Sequence, residues 1–147
     1  TRVVTGILNP GEASGVGVIQ AALSEAGATT IIDCPPGSAC TVMESVMDAD
    51  YCVLVVEPTA FGFHNFKMVH ELCSLLQKPI GVVINKESVA YAPLEDFLAQ
   101  EQLPILARFD YDSDLAQALA DGCLMVEREP AYARRFEAIL EKIGGAL

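Results

Sequence analysis

Apolar runs of strand length, with no polar residue alternating through them, recur along this chain, and segments of helical spacing separate them. Tyr51–Val56 is the most apolar of these runs, and Pro79–Ile84 is the next clear one. A strand that is apolar on both faces has to be covered on both, which favours a parallel sheet with helices packed over it. Thr29–Asp33 reads as another buried strand, Leu103–Phe109 as a last strand and Val3–Leu8 as a short β-prone run. The spacing predicts helices over Ser14–Ala26, Thr41–Met47, Phe66–Leu76, Leu94–Gln100 and Ser113–Ala120, and a last one opening at Glu129-Pro130. In Phe66–Leu76 the residues Val69, Leu72, Cys73 and Leu76 share a face. In the last helix Phe136, Ile139, Leu140 and Ile143 are the side expected to be buried. The expected fold is α/β: one domain over residues 1–147, with a doubly wound, mostly parallel sheet of about five strands and helices on both faces.

Composition narrows the class. The 147 residues suit a single core, and mean hydropathy is +0.36. No apolar run reaches the roughly 18–20 residues of a membrane span. The last helix mixes Arg134, Arg135 and Lys142 with Glu137 and Glu141, which suits packing on a sheet better than a stable membrane anchor. A net charge of −11 repels phosphate backbones, so nucleic acid is not an expected partner. A nucleotide can still be held locally by backbone N–H groups, a lysine and a metal ion. The five cysteines (Cys34, Cys40, Cys52, Cys73 and Cys123) are odd in number, and several lie in apolar runs. That suggests reduced thiols in a cytoplasmic protein. Thr1 rather than Met opens the chain and no signal-peptide pattern follows, so the start is expected to be a fragment boundary.

In doubly wound sheets ligands bind beyond the C-terminal ends of the strands. The residues there are Asp33, Glu57, Asn85 and Asp110. Asp33 closes a strand-like run ahead of Pro35-Pro36-Gly37. It can orient a Mg²⁺ through water or simply cap the turn. Gly37 can offer an unobstructed N–H to a phosphate. Asn85 carries a donor and an acceptor that match the adenine edge, or it is a turn asparagine. A guanine site of the Asn-Lys-x-Asp type needs a carboxylate where Ser88 stands. None of the four lysines follows a Gly-x-x-x-x-Gly loop, so no Walker A motif is present. Gly11, Gly15 and Gly17 lack that lysine, and Gln20 stands where a dinucleotide fingerprint has its third glycine.

Taken together, the segments resemble the MinD/ParA superfamily of P-loop ATPases. Ile31–Val42 is similar to a Walker B and switch II segment, Ala49–Asn65 to the next strand and loop, and Gly81–Lys86 to the base-binding strand. Gly6–Gly15, and Cys40 after Pro-Pro-Gly, fit the subgroup with a ferredoxin domain inserted into the ATPase. The resemblance implies the C-terminal part of an incomplete P-loop NTPase fold that is inactive alone, from a parent ATP hydrolase. Asp33 would be catalytic and hold the Mg²⁺ shell, and Gly37 would sense the γ-phosphate. Asn85, Lys86, Phe109 and Asp110 would line the nucleotide. ATP and Mg²⁺ would be the parent's cofactors, with iron–sulfur clusters only in the absent inserted domain. A homodimer and an iron–sulfur or redox partner would be its assemblies. The parent family's nucleotide-binding strand would lie between Thr29–Asp33 and Tyr51–Val56. In its absence, those two are expected to pair directly or to take a strand from another chain. A non-catalytic α/β interaction module is the alternative. A phosphoacceptor receiver would need acidic residues where Asn9-Pro10 stands.

Overall fold

The computed structural model describes residues 2–11, 14–37 and 40–146. Glu12 and Ala13 of the glycine-bearing loop, Ser38 and Ala39 after Gly37, and Thr1 lie outside the described residues. The described part is α/β, with three parallel strands and seven helices. In chain order they are α1 (Val16–Leu23), α2 (Cys40–Val46), β1 (Cys52–Val56), α3 (Ala60–Leu75), β2 (Ile80–Glu87), α4 (Ala92–Gln100), β3 (Ile105–Asp110), α5 (Ser113–Ala120), α6 (Met125–Arg128) and α7 (Pro130–Gly144). The sheet order is β1-β2-β3, so β2 lies in the middle and the most apolar run, β1, lies at an edge. Cys52 pairs with Ile80 and Val56 with Ile84, and on the other side Val82 pairs with Ile105.

Alternate residues of β2 feed two cores. Val82 and Ile84 join Leu54 and Val56 of β1 beneath Val42 and Val46 of α2, Phe66 and Cys73 of α3, and Leu94 and Leu98 of α4. On the opposite face Val83, Leu106 and Phe109 pack with Ile139 of α7. Helices therefore cover both faces, as continuous apolar strands require.

Among the described residues the sheet has three strands, not the expected five or so. Val3–Leu8 and Thr29–Asp33 carry no ladder, and Val3, Ile7 and Ile31 are about 80% exposed. A strand is stable only when its backbone is paired and one face is buried, and neither run has a partner here. The expected direct pairing of Thr29–Asp33 with Tyr51–Val56 is likewise absent: β1 is hydrogen-bonded to β2 alone among the described strands. β1 is also covered on one face only. Cys52, Leu54 and Val56 are buried, whereas Val53 and Val55 are 40% and 62% exposed.

Helix limits shift as well. α1 is shorter than Ser14–Ala26, and α3 begins at Ala60 rather than Phe66, because the Thr59 side chain accepts the Gly62 N–H and caps it. In α7 only Ile139 of the expected apolar side is buried, and Phe136 and Leu140 are about half exposed. The helix lies over β3 and the adjoining part of β2, which leaves part of its apolar stripe without a surface to cover. No helix among the described residues is long and apolar enough to cross a membrane.

Candidate functional site

The C-terminal rim of the sheet gathers most of the residues that sequence reasoning singled out. β2 ends on Asn85, Lys86 and Glu87, and the register against β3 shifts between Ile84 and Glu87. Lys86 sits there at φ +56°, a left-handed conformation that a lysine adopts only when its surroundings hold it. That kink turns the lysine towards the end of β1, where its Nζ donates to Glu57 Oε1 at 2.6 Å. The hydrogen bond to Glu57 raises the Lys86 pKa, the Glu57 charge adds to this, and desolvation opposes it. Both side chains are about half exposed, so the pair positions the lysine more than it stabilises the fold. Asn85 beside it is half-buried.

Glu57 is fixed from the other side by α3. A Cβ on Gly62 would stand 2.3 Å from the Glu57 carbonyl oxygen, so only glycine lets the first turn of α3 approach the strand end this closely. β3 supplies the remaining wall. Asp110 pairs with Glu87 in the ladder, and the Tyr111 N–H donates to the Glu87 carbonyl at 3.1 Å. The Tyr111 side chain is 60% exposed. Below the rim, Arg108 donates to both oxygens of Glu95 at 2.9 and 2.7 Å and to Glu87 at 2.7 Å. The Arg108 hydrogen bonds hold the Glu95 carboxyl below the usual range; its charge adds to this and desolvation opposes it.

Phe109 is placed differently from the other candidates. Its ring is buried, lies 5.7 Å from Phe136 in a stacked arrangement, and has the Arg135 guanidinium 4.1 Å over it. Its side chain belongs to the core under α7, and the exposed aromatic at this strand end is Tyr111. Sequence reasoning passed over Tyr111; its only signal was its position in the loop after β3. Asp33 and Gly37 lie in the irregular segment before α2, both exposed, with Gly37 at φ +101°. No ladder joins that segment to the rim among the described residues. Among those residues, no group of three or more His, Cys, Asp or Glu side chains is arranged to hold a metal.

A second cluster lies at the opposite, N-terminal end of the strands. Cys52 opens β1 and Cys73 lies on the inner face of α3; both are buried in one core, and the half-buried Cys34 packs against it. The Cys73 thiol hydrogen-bonds to Cys52 and lowers the Cys52 pKa to about 7, with burial opposing and Lys78 assisting. Cys73 is pushed up, first by that same hydrogen bond and then by burial.

The chain is similar to an uncharacterized protein of Methanocaldococcus jannaschii, 30% identical over 60 residues. Those residues are 41% of this chain and 22% of that relative's length. No described protein family and no solved structure matches.

Proposed function

We propose that this chain is the C-terminal part of a MinD/ParA-type nucleotide-binding ATPase and that its sheet rim forms the adenine-facing half of the site. The observation that carries this reading is Asn85-Lys86 at the C-terminal end of the middle parallel strand, on a bulge, with an exposed aromatic ring beside it. Nucleotides bind at such strand ends. Asn85 would read the adenine edge, Tyr111 would offer a face for stacking, and Glu57 would hold Lys86 in place. Asp33 would hold the Mg²⁺ shell and Gly37 would meet the γ-phosphate once a P-loop presents the phosphates. ATP and Mg²⁺ are the cofactors in this reading. A homodimer and an iron–sulfur or redox protein are its partners, and the cytoplasm is its compartment.

The chain alone carries no Walker A lysine, and phosphoryl transfer depends on that positioned charge. Turnover by the isolated chain is expected at background and unchanged by Asp33→Ala. ATP affinity is expected to be no tighter than about 1 mM, near −4 kcal/mol, in a calorimetric titration. Micromolar binding, or turnover that Asp33→Ala abolishes, would overturn this reading of the isolated chain. A second reading, a non-catalytic interaction module, is favoured by the bare Val53 and Val55 on β1. It predicts no chemical-shift change at Asn85, Lys86 or Tyr111 at about 10 mM ATP, whereas the ATPase reading predicts shifts confined to them.

A further inference from the structure

We infer that Cys52 and Cys73 form an oxidisable dithiol that a peroxide closes to an intramolecular disulfide, stapling the start of β1 to α3. The backbone sets up this pairing. The Lys78 N–H donates to the Cys73 carbonyl at 3.0 Å, and the Cys52 N–H donates to the carbonyl of the next residue, Pro79, at 2.9 Å. Two adjacent residues of the α3–β2 connection therefore clamp the two cysteines from either side. Both side chains lie in the same core, at 6% and 0% exposure. The two thiols are differently poised: the neighbouring Cys73 thiol and Lys78 pull the Cys52 pKa down, while Cys52 and burial push Cys73 up. A nucleophilic thiolate beside a protonated partner is the arrangement an attacking and resolving pair needs. Cys40 is exposed on α2, and Cys123 lies between α5 and α6, outside this core.

The chemistry balances with hydrogen peroxide as the oxidant. The Cys52 sulfur attacks one peroxide oxygen, the O–O bond breaks, and hydroxide leaves as water with the proton of the original thiol. Cys52 is then a sulfenic acid. The Cys73 sulfur attacks it, the S–O bond breaks, and the hydroxyl departs with the Cys73 proton as a second water. The sum is two thiols and one peroxide giving one disulfide and two waters. Peroxide is small and neutral, and Cys52 is the terminal residue of an edge strand, which opens more readily than a strand middle.

The test uses the full chain, reduced, freed of reductant, treated with hydrogen peroxide and then alkylated before peptide mapping. The expected result is a loss of two hydrogens in intact mass and one linked pair of peptides carrying Cys52 and Cys73, reversed by dithiothreitol. Cys34→Ser is expected to retain that link. Cys73→Ala, in a sample whose circular dichroism matches the parent, is expected to leave Cys52 as a sulfenic acid captured by dimedone. If Cys73→Ala does not fold, the mapping of the unsubstituted chain decides. Cys52 and Cys73 both recovered alkylated, or either one linked to Cys34, Cys40 or Cys123, overturns the inference.

Discussion

Arg108 holds two carboxylates at once, and its forked contact with Glu95 ties β3 to the start of α4. Because this contact depresses the folded-state pKa of Glu95, its contribution to stability is complete above the unfolded glutamate pKa of about 4.3. It is lost as pH falls through the depressed folded value. Glu95→Gln keeps the shape and removes the charge. Its urea midpoint is expected to fall below that of the parent at pH 7, and the gap is expected to narrow by about pH 3. Equal gaps at both pH values would show that the ion pair does not carry the difference. At this scale the sequence was partly legible. Asn85 and Lys86 were visible as polar residues ending an apolar run, and Asp110 as the end of the next. The salt bridge from Lys86 to Glu57 and the forked contact of Arg108 were not, because they join residues 29 and 13 positions apart. No local spacing encodes such a contact; it follows from strands lying side by side. Phe109 illustrates the converse, since its strand-end position looks like a wall of the rim while Phe136 and Arg135 draw its ring into the core.

At the scale of elements, the strength of each strand follows what it touches. Ile84 is fully buried at the centre of β2, between two ladders. Ile84→Ala is expected to cost about 2–5 kcal/mol by urea unfolding. Val55 in the neighbouring edge strand is 62% exposed, so Val55→Thr is expected to stay within about 0.5 kcal/mol. A large loss at Val55 would mean that its face of β1 is covered in solution. The two sheet edges also differ. Arg135 and Lys142 of α7 reach over β3, where Arg135 donates to the Arg108 carbonyl and Lys142 donates to the Leu106 carbonyl at 2.6 Å. Cationic side chains over an edge are a usual guard against unwanted strand pairing. β1 carries only apolar residues, Cys-Val-Leu-Val-Val.

For the whole molecule, the packed part is the middle of the chain. All the ladder hydrogen bonds among the described residues lie between Cys52 and Asp110, and both buried clusters draw mainly on that region. The described residues of 2–37 hold one short helix, α1, with no buried residue. Hydrogen exchange is expected to protect β2, β1, β3 and the inner faces of α3 and α4 at close to the global unfolding free energy. Amides over 2–11 and 27–37 are expected to exchange at nearly unprotected rates. Strong protection over residues 29–33 would show that this run has found a strand partner.

The sequence by itself determined the class of fold and which polar residues end its strands. Apolar runs that lack alternation demand cover on both faces, and helices between them supply it, so a parallel sheet with polar residues at its C-terminal rim follows from local pattern. Tertiary structure alone decided which runs became strands. Thr29–Asp33 and Tyr51–Val56 both read as strands, yet only the second lies beside a strand to which it can give its N–H and C=O groups. A ladder is a property of two segments, and the energy of a strand belongs to the pair rather than to either sequence. The same reason brought Cys52 and Cys73 together: each looks like an ordinary core thiol until the end of α3 and the start of β1 are folded against one connection.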